Sequence, residues 1–373
     1  MGYYGQRRNG KVQVTGAKIR NYSIPFRKTY RNSLAAKDNQ KSVVLLIETD
    51  QGVTGISSIE PDTPNYSEET WYEICGIVEN EFIPLLQGSD PRDIELIYDQ
   101  MEKRVFGHFM SKALVETALF DLLAKSLSVP VYRIRGGRYR DSANVIGWVG
   151  LGTEKERISE ISHFLEEGFK CIKLKTDTHV SDLLELLKKL RSNYGYSFDL
   201  RIDANQCLSR RIANRLVVDA ARYEVEHLEQ PLDRLDITGM RQLSRNSPIS
   251  VMADESAATL KDVMRLIQEE ACSAIKLKVM RAGGIMESER IVALAKASGV
   301  GCVIGNGFST SLSTAIEAQF FASSSYLNPI TEFVGPSKLK NDIVKNPIEI
   351  KAGILKVPEG SGFGYDSVDL IQG

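Results

Sequence analysis

The periodicity of hydrophobic and polar positions changes near residue 137. Before it, strand-like runs are followed by helical ones, and beyond it the two kinds alternate. From Lys11 to Glu60 the runs VQVTGAKIRNYSI and KSVVLLIETDQGVTGISSIE are strand-like, and Asp50-Gln51-Gly52 supplies a turn. Helical periodicity follows in SEETWYEICGIVENEFIPLL, DPRDIELIYDQMEKRVF and SKALVETALFDLLAKSL. A meander followed by helices predicts an N-terminal α+β domain, 1–137, that ends at Gly136-Gly137.

After Gly137, short apolar runs alternate with amphipathic helices. The runs are ANVIGWVGL, FKCIKLK, FDLRIDAN, VEHLEQP, PISVMADES, CSAIKLKV, GCVIGNG and NPITEF. This alternation predicts parallel strands, and eight of them close a barrel, here over 138–340. The alternative is an open doubly wound sheet, which should carry a glycine-rich phosphate loop after its first strand. GLGTEKE, which follows Val149, is a poor version of that loop.

The segment between the first two predicted strands, Pro25 to Gln40, is polar and basic. We expect a mobile loop there that closes over the mouth of the barrel and contacts the substrate. Phe26 is the candidate apolar contact. The remaining stretch, 341–373, is expected to pack back on the N-terminal domain.

Composition excludes some classes of function. In 373 residues, 47 basic side chains nearly balance 48 acidic ones, which favours neither nucleic acid nor a membrane surface as partner. Five cysteines without paired spacing, and a polar N-terminal segment without a signal-peptide core, predict a cytoplasmic protein. We further expect a homo-oligomer with a small-molecule substrate.

Most of the eight runs end in a charged residue, although parallel strands buried on both faces should be nearly all apolar. Successive charges are spaced by about one strand-helix unit, so they gather at the carboxyl end of the barrel, where barrel enzymes place their chemistry. Any single charge here is equally well explained as a solvated group at the start of a loop. The set comprises Lys173, Lys175, Asp203, Glu229, Asp254, Lys278 and Glu332.

The charged positions predict a metal centre flanked by bases. Asp203, Glu229 and Asp254 offer oxygen ligands to a hard cation such as Mg²⁺, for which Mn²⁺ can substitute. Lys173 and Lys175 lie two apart and share one strand face, and Lys276 and Lys278 repeat the IKLK pattern across the barrel. Neighbouring ammonium groups should depress one another's pKa and yield a base near neutral pH. The alternative is that these lysines only neutralise the carboxylates.

The chain resembles the enolase superfamily, and within it the muconate lactonizing enzyme subgroup. The resemblance covers nearly the whole chain and includes ALVETALFDLLAKSLSVPVYRIRGG and the closing GSGFGYDSVDL. Its most specific motifs are KLK at 173–175, DANQ at 203–206, EQP at 229–231, ADES at 253–256 and KVMRAGG at 278–284, the last closest to dipeptide epimerases. The mandelate racemase subgroup uses a histidine on strand seven, and GCVIGNG has none.

The resemblance implies an α/β fold, a (β/α)7β TIM-like barrel with an N-terminal α+β capping domain. It implies that Asp203, Glu229 and Asp254 bind the metal, that Lys175 and Lys278 face opposite sides of the substrate α-carbon, and that Lys173 stabilises the enolate. Dipeptide epimerases carry an Asp-x-Asp pair on strand eight, where this chain has only Glu332. Glu332 and Asn306, at the ends of strands eight and seven, are further candidate substrate contacts.

The expected activity is abstraction of the proton α to a carboxylate through an enediolate. Two opposed lysines favour racemisation or epimerisation of an amino-acid derivative. Alternatives on the same scaffold are β-elimination, as in a dehydratase or an o-succinylbenzoate synthase, and cycloisomerisation. A metal-binding barrel without activity is a third hypothesis, disfavoured because each acid, base and ligand position is filled.

Overall fold

The computed structural model describes residues 11–31, 36–61, 68–305 and 307–368. The N-terminal part opens with an antiparallel sheet in the order β1-β2-β3, as the strand-like pattern predicted. Its strands are β1 (Val14–Arg31), β2 (Ala36–Thr49) and β3 (Thr54–Ile59). No helix among the described residues is both long and apolar enough to cross a membrane.

Helices follow this sheet, as the periodicity predicted. They are α1 (Trp71–Ile77), a π-helical turn (Val78–Phe82), α2 (Ile83–Leu86), α3 (Ile94–Arg104), α4 (Phe109–Ser126) and α5 (Val131–Ile134). Helix α4 packs against the sheet, and a Cβ on Gly55 would lie 2.3 Å from the carbonyl oxygen of Ala118, so only glycine permits this approach. Gly136 and Gly137 both have positive φ, +99° and +101°, where the chain leaves this part.

The second part is a ring of parallel strands. Seven form one sheet in the order β11-β10-β9-β8-β7-β6-β5. They are β5 (Gly147–Val149), β6 (Cys171–Lys175), β7 (Asp199–Asp203), β8 (Val225–Glu229), β9 (Ser250–Ala253), β10 (Ala274–Leu277) and β11 (Gly301–Ile304). The helices that alternate with them are α6 (Glu154–Glu166), α7 (Val180–Tyr194), α8 (Arg210–Ala221), α9 (Ile237–Asn246), α10 (Leu260–Gln268), α11 (Val279–Ala282), α12 (Ile285–Ser298) and α13 (Ser311–Ala322).

A short eighth strand closes the ring. In β12 (Ile330–Thr331) and its flanks, the amides of Asn328 and Glu332 donate to carbonyls of β11, at 2.8 and 3.0 Å. On the other side β12 pairs with β4 (Ser142–Val145), and the amide of Ile146 donates to the Thr331 carbonyl at 3.1 Å. The run ANVIGWVGL was predicted as one strand but is two: β4 pairs with β12 and with β14 (Ile354–Lys356), whereas β5 pairs with β6.

The C-terminal segment contacts both parts. Helix α14 (Gly335–Lys338) follows β12, and β13 (Ile350–Lys351) pairs with β14. Further along, the amide of Phe363 donates to Asp121 of α4 at 2.8 Å, and the amide of Gly362 donates to the Val129 carbonyl. These contacts join the segment to α4, and the division of the chain into domains stays a prediction.

The expected loop at Pro25 to Gln40 is instead the outer half of a β-hairpin. Strands β1 and β2 stay paired from Pro25 opposite Asn39 to Arg31 opposite Ala36, with an irregularity between Pro25 and Tyr30. Most side chains of this segment are exposed, which accounts for its polar sequence. Phe26 and Tyr30 are buried. Its outer half packs on the barrel, since the Arg31 carbonyl accepts from the amide of Leu151 at 3.2 Å. Residues 32–35 lie outside the described part.

Candidate active site at the carboxyl end of the barrel

Three predicted site residues stand side by side at the ends of neighbouring strands. Lys175 of β6 is paired in register with Asp203 of β7, and Asp203 with Glu229 of β8. All three side chains are buried. Parallel pairing therefore brings the basic and acidic groups to one level, as the spacing of the charges predicted.

Lys175 is held by two oxygen acceptors. Its Nζ donates to Asp203 Oδ2 and to Asn205 Oδ1, both at 2.5 Å. Asn205 has φ +40°, a left-handed conformation that asparagine tolerates, and its Nδ2 donates to Glu255 Oε1 at 3.2 Å. Asn205 and Glu255 lie within the DANQ and ADES motifs, and the sequence pattern alone indicates no role for either.

Lys173 lies among acids. Its Nζ donates to both Glu229 oxygens, at 2.8 and 2.7 Å, and to Glu332 Oε2 at 2.8 Å, and it lies 2.9 Å from Asp203 Oδ2. Burial alone would lower the pKa of Lys173, but the attraction of these three carboxylates outweighs it and holds the pKa well above its usual value. For this lysine the expected depression is wrong in direction, because the acids and not Lys175 dominate its surroundings.

Lys278 occupies the opposite side of the ring. Its Nζ contacts both oxygens of Asp254 at 2.9 Å, and Arg281 Nη1 approaches Asp254 Oδ1 at 2.8 Å. Three strands, β7, β8 and β9, separate the strand of Lys175 from the strand that precedes Lys278. Arg281 also donates to the Asp254 carbonyl at 2.6 Å, a contact that the sequence pattern did not suggest.

The carboxylate of Glu332 forms ion pairs with lysines inside the barrel. Its carboxylate is held by Lys173 and by Lys276, and the two lysines keep its pKa below the usual range although burial alone would raise it. Burial lowers the pKa of Lys276. The proximity of strands seven and eight needs Gly305, which has φ +142° and where a Cβ would lie 2.7 Å from the Glu332 carbonyl carbon. Glu332 and Phe26 stay predictions as substrate contacts, and Asn306 lies outside the described residues.

A glutamine fixes the loops that carry two of the acids. Gln230, which follows Glu229, has φ +32°, and its Oε1 accepts from the amides of Asp254 and Ser256 at 3.0 and 3.1 Å. Its Nε2 donates to Ser256 Oγ at 2.8 Å. The EQP and ADES segments are thereby tied together, which sets the spacing of Glu229 and Asp254.

The electrostatics of the three acids fit a bound cation. Burial, and next the charge of Asp203, raise the pKa of Glu229 well above its usual value, so Glu229 gains most from added positive charge. Burial would also raise the pKa of the other two acids, but Lys173 and Lys175 lower the pKa of Asp203, and Lys278 and Arg281 lower that of Asp254. Carboxylate oxygens are also the donors that hard divalent ions prefer. Within the described ranges 11–31, 36–61, 68–305 and 307–368, no group of three or more His, Cys, Asp or Glu side chains is placed to hold a metal ion. The ammonium groups of Lys173, Lys175 and Lys278 contact these carboxylates instead.

Comparison with known proteins decides the family. The model for the Mandelate racemase / muconate lactonizing enzyme, N-terminal domain matches residues 14–136, and the Enolase C-terminal domain-like model matches residues 156–369. The chain belongs to the enolase superfamily. It lies in the muconate lactonizing enzyme subgroup, so the predicted enzyme class and the barrel fold with its capping domain are confirmed. Membership of this superfamily implies a divalent metal ion.

Individual superfamily members match over nearly their whole length. The chain is 28% identical to an L-Ala-D/L-Glu epimerase of Bacillus subtilis, covering 94% of this chain and 96% of the relative. It is 24% identical to an N-succinyl-L-Arg/Lys racemase of Bacillus cereus, covering 97% of each. The muconate lactonizing enzyme of Pseudomonas fluorescens, solved with muconolactone, superimposes with a TM-score of 0.92 at 27% identity, covering 96% of this chain and 98% of that one. Both the racemase or epimerase prediction and the cycloisomerase alternative agree with these relatives.

Proposed function

We propose that the enzyme removes the proton α to a carboxylate and returns a proton to the opposite face, racemising or epimerising an amino-acid derivative. The observation that carries this proposal is the placement of two lysines. Lys175 ends β6 and Lys278 directly follows β10, with three strands between these two, and each lysine contacts a different carboxylate of the acidic group. One amine therefore serves each face of a substrate bound between them.

Asp203, Glu229 and Asp254 are the proposed ligands of Mg²⁺, with Mn²⁺ as a substitute. When bound, the ion supplies positive charge that stabilises the two oxygens of the enediolate. The donor chemistry supports Mg²⁺ because three carboxylate oxygens suit a small, hard ion that keeps its remaining positions for water or substrate.

The proton balance uses both lysines. Lys175, as the neutral amine, takes the α-proton from one face and becomes an ammonium, while the C–H electron pair moves into the carboxylate group. Lys278, as the ammonium, gives a proton to the opposite face and becomes the neutral amine. The reverse reaction exchanges the two roles.

Lys173 is the proposed cationic stabiliser of the enediolate and not a base. Three carboxylates contact its Nζ and hold its pKa above its usual value, which favours the charged form. A fixed charge in a buried site stabilises developing negative charge without reorganisation.

Cycloisomerisation is the second candidate, and the superposition on muconate lactonizing enzyme favours it. It would use the same acids and a lysine that protonates or deprotonates one face only. For either activity we place the enzyme in the cytoplasm, as a homo-oligomer acting on a small-molecule carboxylate, and these assignments stay proposals.

The test is exchange of the substrate α-proton with deuterated solvent, followed by NMR across N-acyl amino acids, dipeptides, proline derivatives and acid sugars. We expect deuterium at the α-carbon of at least one substrate, accompanied by the opposite configuration and without net elimination. Elimination or ring closure without exchange of recovered substrate would contradict racemisation and favour the second candidate.

A further inference from the structure

A lysine outside the acidic group is buried without an acceptor. Lys338, at the end of α14, has 4% of its surface exposed, and its Nζ has no hydrogen-bond partner among the described residues. A buried ammonium is costly unless it is paired, and native proteins seldom leave one so. No described residue provides that partner, so the position is suited to a group that comes from outside the chain.

Three aromatic rings surround this nitrogen and are called the aromatic cage below: Tyr30, Trp148 and Phe308. Lys338 Nζ lies 3.4 Å from the ring centroid of Trp148, 4.4 Å from that of Phe308 and 5.0 Å from that of Tyr30. The rings contact one another with centroids 5.5 to 5.7 Å apart. They come from the hairpin, barrel strand one and the loop after strand seven, so the folded barrel assembles the cage.

The cage orients Lys338 but does not neutralise it. Cation-π attraction fixes an ammonium over ring faces, yet no ring carries a negative charge. The two acids whose charge favours the ammonium form of Lys338, Glu160 and Glu332, are engaged elsewhere. Glu160 accepts from Lys28 at 2.7 Å, and Glu332 is held by Lys173 and Lys276.

The cage adjoins the reaction site through Trp148. Lys175 Nζ lies 5.7 Å from the centroid of the Trp148 ring, and Lys338 Nζ lies 3.4 Å from the same centroid. The two lysine nitrogens are therefore at most about 9 Å apart. Trp148 is also the register neighbour of Lys173. This separation of the two nitrogens matches the length of a short substrate chain that starts at Lys175.

We propose that Lys338 binds a second anionic group of the substrate, a carboxylate at the end remote from the reacting α-carbon. This inference rests on the proposed function and names its substrate class as dicarboxylates. A carboxylate would satisfy the donors of Lys338 and neutralise its charge. A cationic substrate group would instead meet a cage already filled by the side chain of Lys338.

The electrostatic surroundings agree with this assignment. Burial first, and then repulsion from Lys175 and Lys173, hold the pKa of Lys338 well below its usual value. An anion at this point offsets each of these effects, because it supplies the attraction that the neighbouring lysines lack. Anionic substrates then bind more tightly than neutral ones of the same shape.

Binding is tested with N-acyl-L-alanines whose acyl chain (succinyl, glutaryl or adipoyl) ends in a carboxylate, each paired with its terminal amide. Trp148 reports binding by fluorescence in a Trp71→Phe background, which leaves it as the single tryptophan, with saturating Mg²⁺. We expect at least one carboxylate to bind about 10- to 100-fold more tightly than its amide. Lys338→Met should remove this preference and Lys338→Arg should retain it.

Lys28→Met is the matched control, since Lys28 Nζ lies 5.5 Å from the centroid of the same Tyr30 ring but is largely exposed. It should leave the carboxylate preference unchanged. No preference at any chain length in the parent protein, or a preference that survives in Lys338→Met, would overturn the proposal, as would tighter binding of a terminal amine. Selective binding without deuterium exchange at the α-carbon would instead reject the proposed function and leave the anion site standing.

Discussion

Lys175 and Asp203 occupy paired positions on neighbouring strands, and their side chains meet with Nζ 2.5 Å from Oδ2. The proposed base is therefore bound to a proposed metal ligand. Asn205, the second acceptor of Lys175, completes its orientation from the loop that follows β7. Lys278 has a different set of contacts on the opposite side, so changes around Lys175 should act on one face of the substrate.

Asn205→Ala tests this asymmetry. We expect α-proton exchange at the Lys175 face to fall by about 10- to 100-fold, because the amine loses one of its two fixed partners and its alignment. Exchange at the Lys278 face should change much less. The measurement is deuterium incorporation from each enantiomer separately, with kcat and KM resolved. An equal loss from both enantiomers would show that Asn205 supports the whole site and does not position Lys175.

Glu229→Gln tests the metal site. The variant should bind Mg²⁺ more weakly and lose turnover, because a neutral amide replaces one anionic ligand, while far-ultraviolet circular dichroism should stay unchanged. Titration calorimetry with Mg²⁺ measures the affinity. Glu226→Gln on the same strand is the control, since Glu226 pairs with Arg201 and is no proposed ligand. Full activity of the parent enzyme after exhaustive treatment with EDTA would refute the metal requirement.

Phe26→Ala tests the covering hairpin. The ring of Phe26 packs on Phe308 and Tyr30 with centroids 5.1 and 5.3 Å apart, and the Pro25 carbonyl accepts from the amide of Lys340. Loss of the ring should raise KM more than it lowers kcat and reduce the free energy of unfolding by about 3 kcal/mol. Ser23→Ala, at an exposed bond to Asn39 on the same hairpin, should do neither. An unchanged KM would reject a substrate-covering role.

Glu116 should make the free energy of unfolding depend on pH. This carboxylate is buried and accepts from the amides of Ile285 and Met286, and burial raises its pKa to about 8. Because the folded state holds the proton more tightly than the unfolded state, Glu116 should destabilise the fold progressively as pH rises from about 4.5 toward 8. Relative to Glu116→Gln, the parent should lose on the order of 1 kcal/mol or more across this range in urea denaturation. Equal pH profiles would contradict the assignment.

The barrel and its charged face could be predicted because their signals are local. Each strand is a short apolar run, and charges such as Asp203 and Glu229 follow at intervals of about one strand-helix unit, so parallel pairing alone aligns them. The outer half of the hairpin was missed because its exposed polar side chains resemble a loop. Antiparallel strands need only one buried face, and here that face is represented by Phe26 and Tyr30.

Other features of the site depend on contacts between distant segments. Lys338 has no motif of its own, and its aromatic cage is assembled from Tyr30, Trp148 and Phe308 only after the barrel closes. The high pKa of Lys173 likewise depends on Asp203, Glu229 and Glu332, acids that lie far from it in sequence. Local patterns carry no information about such convergence.

The central claim is that Lys175 and Lys278 serve opposite faces of the α-carbon. The decisive measurement is deuterium exchange from each enantiomer of a substrate with Lys175→Ala and Lys278→Ala, both loaded with Mg²⁺. Each variant should lose about 10² to 10⁴ in exchange from one enantiomer and keep exchange from the other, with the affected enantiomer reversed between the two variants. Loss from the same enantiomer in both variants, with the other untouched, would contradict the two-base account and favour a single base with a cationic stabiliser.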